Sequence, residues 1–254
     1  MNVALIVGIC AFACSFGGAL FGMLIASRLP KAHLSEASKD VIKVTTAVVA
    51  TLAALVVGLL ITAAKGSFDT KDAGLKRVAA HVILLDHTMA EYGPETRGAR
   101  DALRNVITQA IAAIWNNGGP GAANPDAITK GAGMAPIQQS LLQLVPQNDA
   151  QRWLKSSALQ IGGEIEQARW LAVEQKGGNI QWPFLAILVF WFAVVFLSFG
   201  MFAPYNASVL IVFAICALSI AAALYLIVQM DRPYSGFMEI SSAPLRVALE
   251  QIGK

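Results

Sequence analysis

Four stretches of the chain are apolar for long enough to cross a lipid bilayer. The first runs over residues 3–26 and holds no Lys, Arg, Asp or Glu; the others run over 44–64, 183–203 and 207–230. As helices rising about 1.5 Å per residue they reach roughly 30–36 Å, the thickness of the hydrocarbon core. No basic residue precedes the first stretch, which is about twice the length of a signal-peptide core, so it predicts an uncleaved helix rather than a removed leader. The third stretch is aromatic: Phe184, Phe190, Trp191, Phe192, Phe196, Phe199 and Phe202. Trp182 and Tyr205 stand at its ends, where amphipathic rings favour the headgroup layer. Pro204, Tyr205 and Asn206 alone separate it from the fourth, which forces an antiparallel hairpin.

Between the two hydrophobic pairs the chain turns polar, and its apolar residues recur at helical spacing. Phe68, Leu75, Val78, Val82, Leu85 and Met89 share one helix face, as do Ala99, Leu103, Val106, Ala110 and Ile114. Gly93-Pro94 separates the two, with proline suited to a first helical turn. Residues 116–133, rich in Gly, Asn, Ala and Pro, read as a loop. A short helix follows over 136–144, then a longer one capped by Asn148 and ended near Gly177-Gly178. The pattern predicts an all-α membrane protein. Four transmembrane helices form two pairs (1–64 and 182–230) around an α-helical water-facing domain (65–181), followed by a tail (231–254). Within the tail, 244–252 predicts a short amphipathic helix with Leu245, Leu249 and Ile252 on one side, lying on the membrane surface or on the domain.

Small residues run along one face of the first helix: Ala4, Gly8, Ala11, Ser15, Gly18, Gly22 and Ala26. Ala47, Thr51, Ala54, Gly58 and Thr62 make a similar stripe on the second. Water cannot drive helices together inside lipid, so close backbone approach must do it, and Gly18 and Gly22 have the spacing for that. These stripes predict helix packing, against each other or against a neighbouring subunit. The alternative is that the hydroxyl-bearing face of the second helix lines a pore.

Composition narrows the function. The chain is 56% hydrophobic and only 14% charged, against about a quarter charged in soluble domains. A net charge of +3 without a dense basic patch excludes nucleic acid as a partner. No charge lies deep in a span, which argues against proton relays and ion-coupled pumps and leaves passive passage open. Cys10, Cys14 and Cys216 all lie in apolar runs and predict free thiols. His81 and His87 fall on different helix faces, so they do not make a metal site, and Asp86 and His87 point about 100° apart. Gly118, Gly119 and Gly121 lack the lysine of a phosphate loop. No enzyme, cofactor or metal is expected.

Sidedness is balanced. Arg28, Lys31, Lys39 and Lys43 after the first helix place the intervening domain outside the cytoplasm. The total of Lys and Arg on the domain side, Lys65, Lys71, Lys76, Arg77, Arg169, Lys176, Arg232 and Arg246, places it inside. First-helix dominance tips the lean to outside and leaves the side open.

Past the fourth span comes the most distinctive local sequence: Asp231-Arg232-Pro233-Tyr234-Ser235-Gly236, then Ser241-Ser242-Ala243-Pro244. Asp231 and Arg232 sit where a helix leaves lipid and Pro233 redirects the chain. They suit either a structural tie to the domain or charges ringing a vestibule, with Ser241 and Ser242 in the same motif. Together with the two-plus-two spans and the stretch from Leu85-Asp86-His87 to Tyr92-Gly93, this motif resembles the bacterial bestrophin-like membrane proteins, over nearly the whole chain. That family is distantly similar to bestrophin anion channels, which are pentamers with four membrane helices per subunit and a helical cytosolic part. The resemblance implies a homo-oligomeric ring, possible as a pentamer, with an axial pore for passive passage of small anions or other ions in the inner membrane and the domain in the cytosol. The acidic calcium-clasp cluster of the eukaryotic channels is missing here, so calcium gating is not implied. The competing expectation is a non-conducting membrane scaffold or sensor whose helical domain binds a partner.

Overall fold

Residues 36–92 contain no proline, and their apolar positions keep one helical phase from the span into the polar region that follows. In the computed structural model they form a single uninterrupted helix, α2 (Glu36–Tyr92), about 85 Å long at 1.5 Å per residue. The span ending at Ala64 and the periodic face beginning at Phe68 thus lie on one helix: a lone Gly66 costs only about 1 kcal/mol in a helix interior, too little to outweigh the buried positions on either side of it. The structure describes residues 3–28, 36–115, 133–174, 182–231 and 238–253.

The other helices are α1 (Val3–Arg28), α3 (Arg97–Trp115), α4 (Ala135–Gln143), α5 (Asp149–Glu174), α6 (Trp182–Phe202), α7 (Ala207–Asp231) and α8 (Ala243–Gln251), with a 3-10 turn over Pro94–Thr96. The fold is all-α, and α1, α2, α6 and α7 are long and apolar enough to span a membrane. Two compact units divide the chain: residues 1–67 with 179–231, and 68–178 with 232–254. Helix α2 contributes to both.

In the membrane unit, α1 packs on α6 and α7. Small residues make this possible, with Ala4, Ala11, Ala19 and Gly22 of α1 buried together with Ala217 and Ala221 of α7. At Gly18 a Cβ would stand 2.6 Å from the Ala193 carbonyl oxygen, and at Gly22 and Gly200 it would collide with the carbonyls of Leu197 and Ala19. The α1 stripe therefore packs against the second hairpin, and the glycines exist to bring backbone onto backbone. Asn206 caps α7, its Oδ1 accepting the Val209 N–H at 2.9 Å.

The second unit is built on Val82, Leu85 and Met89 of α2, Leu103 of α3, Ile137 and Leu141 of α4, Ile161 and Ile165 of α5, Leu245 and Ala248 of α8, and Ile252 just past its end. The amphipathic tail helix thus buries its apolar side in this core. Gly93 ends α2 with φ at 134°, a conformation that a side chain would strain. Asn148 caps α5 as expected, accepting the Gln151 N–H at 2.8 Å. Lys155 closes the C-terminal end of α4 by donating to the Leu142 and Leu144 carbonyls at 2.8 and 2.9 Å.

Candidate functional site

Two places in the chain hold polar groups in a non-routine arrangement. The first is the exposed face of α2 within the membrane unit. Only 11% of its apolar window is buried, against 33% for α1 and 28% for each of α6 and α7. Thr46, Ala53 and Ala64 are the buried positions of its span. At 100° per residue, Thr51, Gly58 and Thr62 lie within about 40° of one another, and the buried three lie roughly 180–240° round the helix from them. The side that carries Thr51, Gly58 and Thr62 therefore faces away from the chain's own bundle. Thr51, Ala54, Gly58 and Thr62 are all exposed, and nothing lies within 4 Å of a Cβ placed at Gly58. Leu52, Leu55 and Leu59 flank the stripe on one side, also exposed. The Thr51 and Thr62 hydroxyls donate to the Ala47 and Gly58 carbonyls at 2.9 Å. Their oxygen lone pairs are then left to face outward.

The second place is the helical unit around Asp86. Its carboxylate is buried on α2 and takes two parallel bonds from Arg100 of α3, Nε to Oδ1 and Nη2 to Oδ2, both 2.8 Å. Oδ2 also accepts the Gly253 N–H at 3.2 Å. These hydrogen bonds to Asp86 push the Arg100 guanidinium above its ordinary pKa, with burial opposing. A half-open cleft of about 310 Å³ lies beside the pair, lined by Ile83, Asp86, His87, Ala90, Arg100 and Gln251. His87 is exposed and reaches Glu91 at 3.2 Å rather than Asp86, while His81 stands 3.5 Å from Glu164 of α5. Among the described residues no three His, Cys, Asp or Glu side chains gather where a metal would bind.

A family model for the bestrophin-like domain matches residues 13–245, leaving only short stretches at either end. The chain belongs to the bestrophin-like family. Neither comparison with curated proteins nor comparison with solved structures finds a significant match. Family and spans together make this bestrophin-like chain a multi-pass membrane protein, channel-like at that coarse level.

Sequence-derived candidates in this bestrophin-like protein separate into three groups. Gly18 and Gly22 serve backbone contact within the membrane unit. Thr51, Ala54, Gly58 and Thr62 are exposed on the side of α2 away from its buried positions, as seen among the described residues. Of the motif past the fourth span, Asp231 is buried at the end of α7, while Arg232 and Pro233 fall outside the described residues. Ser241 and Ser242 open α8: the Ser241 hydroxyl accepts the Ala243 N–H at 3.2 Å, and that of Ser242 accepts from Arg246 Nε at 3.0 Å. Cys10, Cys14 and Cys216 are free and exposed on the membrane helices.

The Asp86–Arg100 pair is not legible as a pair in the sequence, although one signal was present. Asp86 shares the face of Val82 and Met89, and a carboxylate at an apolar-face position demands a partner.

A further polar junction joins α5 to the start of α4. Glu166 accepts from Arg169 Nη2 at 2.5 Å and from the Met134 N–H at 3.2 Å. Gly133 allows the approach, since its φ is 59° and a Cβ there would stand 2.9 Å from Glu166 Oε2. The Arg169 guanidinium holds the Glu166 carboxyl below its ordinary value of 4.5; burial opposes and the Met134 N–H assists. A depressed carboxylate contributes stability above its unfolded pKa and loses it as pH falls through the lower folded value. The thermal midpoint of the helical unit should therefore drop as pH is taken from 5 toward 3. Glu166→Gln should remove part of that dependence, and an unaltered slope in the variant would refute the assignment.

Proposed function

We propose that identical copies of this chain assemble into a ring in the bacterial inner membrane, with α2 of each copy facing a central path for small ions. The observation that carries the proposal is the geometry of α2. Its small, hydroxyl-bearing stripe lies opposite its buried face, in the orientation a helix needs to stand between its own bundle and an axial path. Leu52, Leu55 and Leu59 beside the stripe suit contact with a neighbouring copy or with lipid. Family membership supports the same reading, and likeness to bestrophin channels would make the ring a pentamer.

Passage is passive in this proposal, with no enzymatic step and no cofactor. Hydroxyls whose protons are donated to helix carbonyls present lone pairs outward, which suits a cation better than an anion. The side on which the helical unit lies follows the family likeness, toward the cytosol. A scaffold reading is favoured by a different observation: Trp153 and Val145 of the helical unit are 68% and 74% exposed, and large apolar groups in that position suit a protein partner.

Cross-linking tests the ring. With Cys10, Cys14 and Cys216 changed to serine, Thr51→Cys should give a ladder of linked copies with a short thiol-specific cross-linker in membranes, ending at the ring size. Cysteines at outward positions of α6 such as Phe190 should link poorly. A Thr51→Cys protein that stays monomeric at full labelling would sink the proposal.

A further inference from the structure

Among the described residues, three hydrogen bonds fasten the segment after the fourth span to the helical unit. Trp115 of α3 donates its indole N–H to the Ile240 carbonyl at 2.9 Å. Arg104 of α3 donates to the Ile252 carbonyl at 3.2 Å. Gly253 donates its N–H to Asp86 on α2. Along this segment Ile240, Leu245, Ala248 and Ile252 are buried.

A helix of nine residues is not stable alone. Four buried side chains, one of them alanine, offset only part of the conformational entropy lost in ordering the fourteen residues 240–253. Docking of the tail therefore depends on its polar fastenings. Gly253 is the most exacting of them, because its φ of 91° lies where L side chains rarely go. Water also reaches this fastening, since the cleft lined by Gln251, Asp86 and Arg100 opens beside it.

We propose that residues 240–253 are a releasable clasp on α2, that it lets go at Asp86, and that its release alters ion passage. The last clause rests on the proposed function. Its physical basis is that Asp86 and the Thr51–Thr62 stripe are carried by one unbroken helix, so a restraint at Asp86 bears on the helix that faces the path.

Hydrogen exchange on the full chain in lipid nanodiscs tests the clasp. Gly253→Val should speed exchange of the α8 amides about tenfold, the factor expected from forcing a β-branched residue to positive φ. Gly253→Asn, which tolerates that conformation, should stay close to wild type. Arg104→Met, at an exposed position, removes a different fastening and should speed the same amides without unfolding the core. Exchange at wild-type rates in both Gly253→Val and Arg104→Met would overturn the clasp. In planar bilayers a released tail should change the current at least about twofold, and an unchanged current with a released tail would overturn the coupling. Wild-type protein that carries no current contradicts the ion path itself and the coupling with it, while the exchange data still decide whether the clasp exists.

Discussion

Gly22→Leu should cost the membrane unit about 3 kcal/mol or more, the upper end of what overpacking a fixed contact costs. The side chain would project onto the Leu197 carbonyl, which is backbone and cannot rotate away. Helices α1 and α6 would have to separate, losing the burial of Ala19, Val195 and Phe196. Gly58→Leu is the matched control, because among the described residues nothing lies within 4 Å of a Cβ placed at Gly58. Its thermal midpoint in detergent should match wild type, whereas Gly22→Leu should unfold well below it. In the membrane Gly58→Leu should instead weaken assembly or narrow the ion path. Equal midpoints for wild type and Gly22→Leu would remove the basis for the α1–α6 packing.

Asp86→Ala should destabilise the helical unit by on the order of 3 kcal/mol, the cost of leaving one member of a buried ion pair alone. Arg100, whose side chain is only 19% exposed, would keep its charge without Asp86, and Gly253 would lose its acceptor. The double change Asp86→Leu with Arg100→Met should be less harmful than Asp86→Ala, because it removes both charges and leaves none unpaired. Denaturant unfolding of the three proteins measures this. A double variant worse than Asp86→Ala would show that the pair contributes net stability beyond satisfying its own charges.

Much of the architecture is legible before any coordinates. Hydrophobic length alone locates the four spans, since a bilayer imposes one length on every helix that crosses it. Local rules locate Gly93-Pro94 and the Asn148 cap, because turn and cap chemistry act within a few residues. The continuity of α2 past Ala64 is harder to see, because a change from apolar to polar composition looks like a boundary although the backbone has no reason to stop. Which helix receives the α1 stripe is not legible either: a row of small residues shows that a backbone comes close, not which one. Likewise the partner of Asp86 is fourteen residues away across a turn, and Gly253 lies at the far end of the chain. The outward aim of Thr51, Gly58 and Thr62 becomes visible only once Ala53 and Ala64 are seen to be buried on the opposite side.

Ion passage is the central claim, and the current carried by the purified chain in planar bilayers tests it most directly. Wild-type protein should give discrete conductance steps under a salt gradient, with a reversal potential on the cation side, and Thr51→Leu should reduce the step size. Silent bilayers across a range of salts, from protein shown to be folded and assembled, would contradict it.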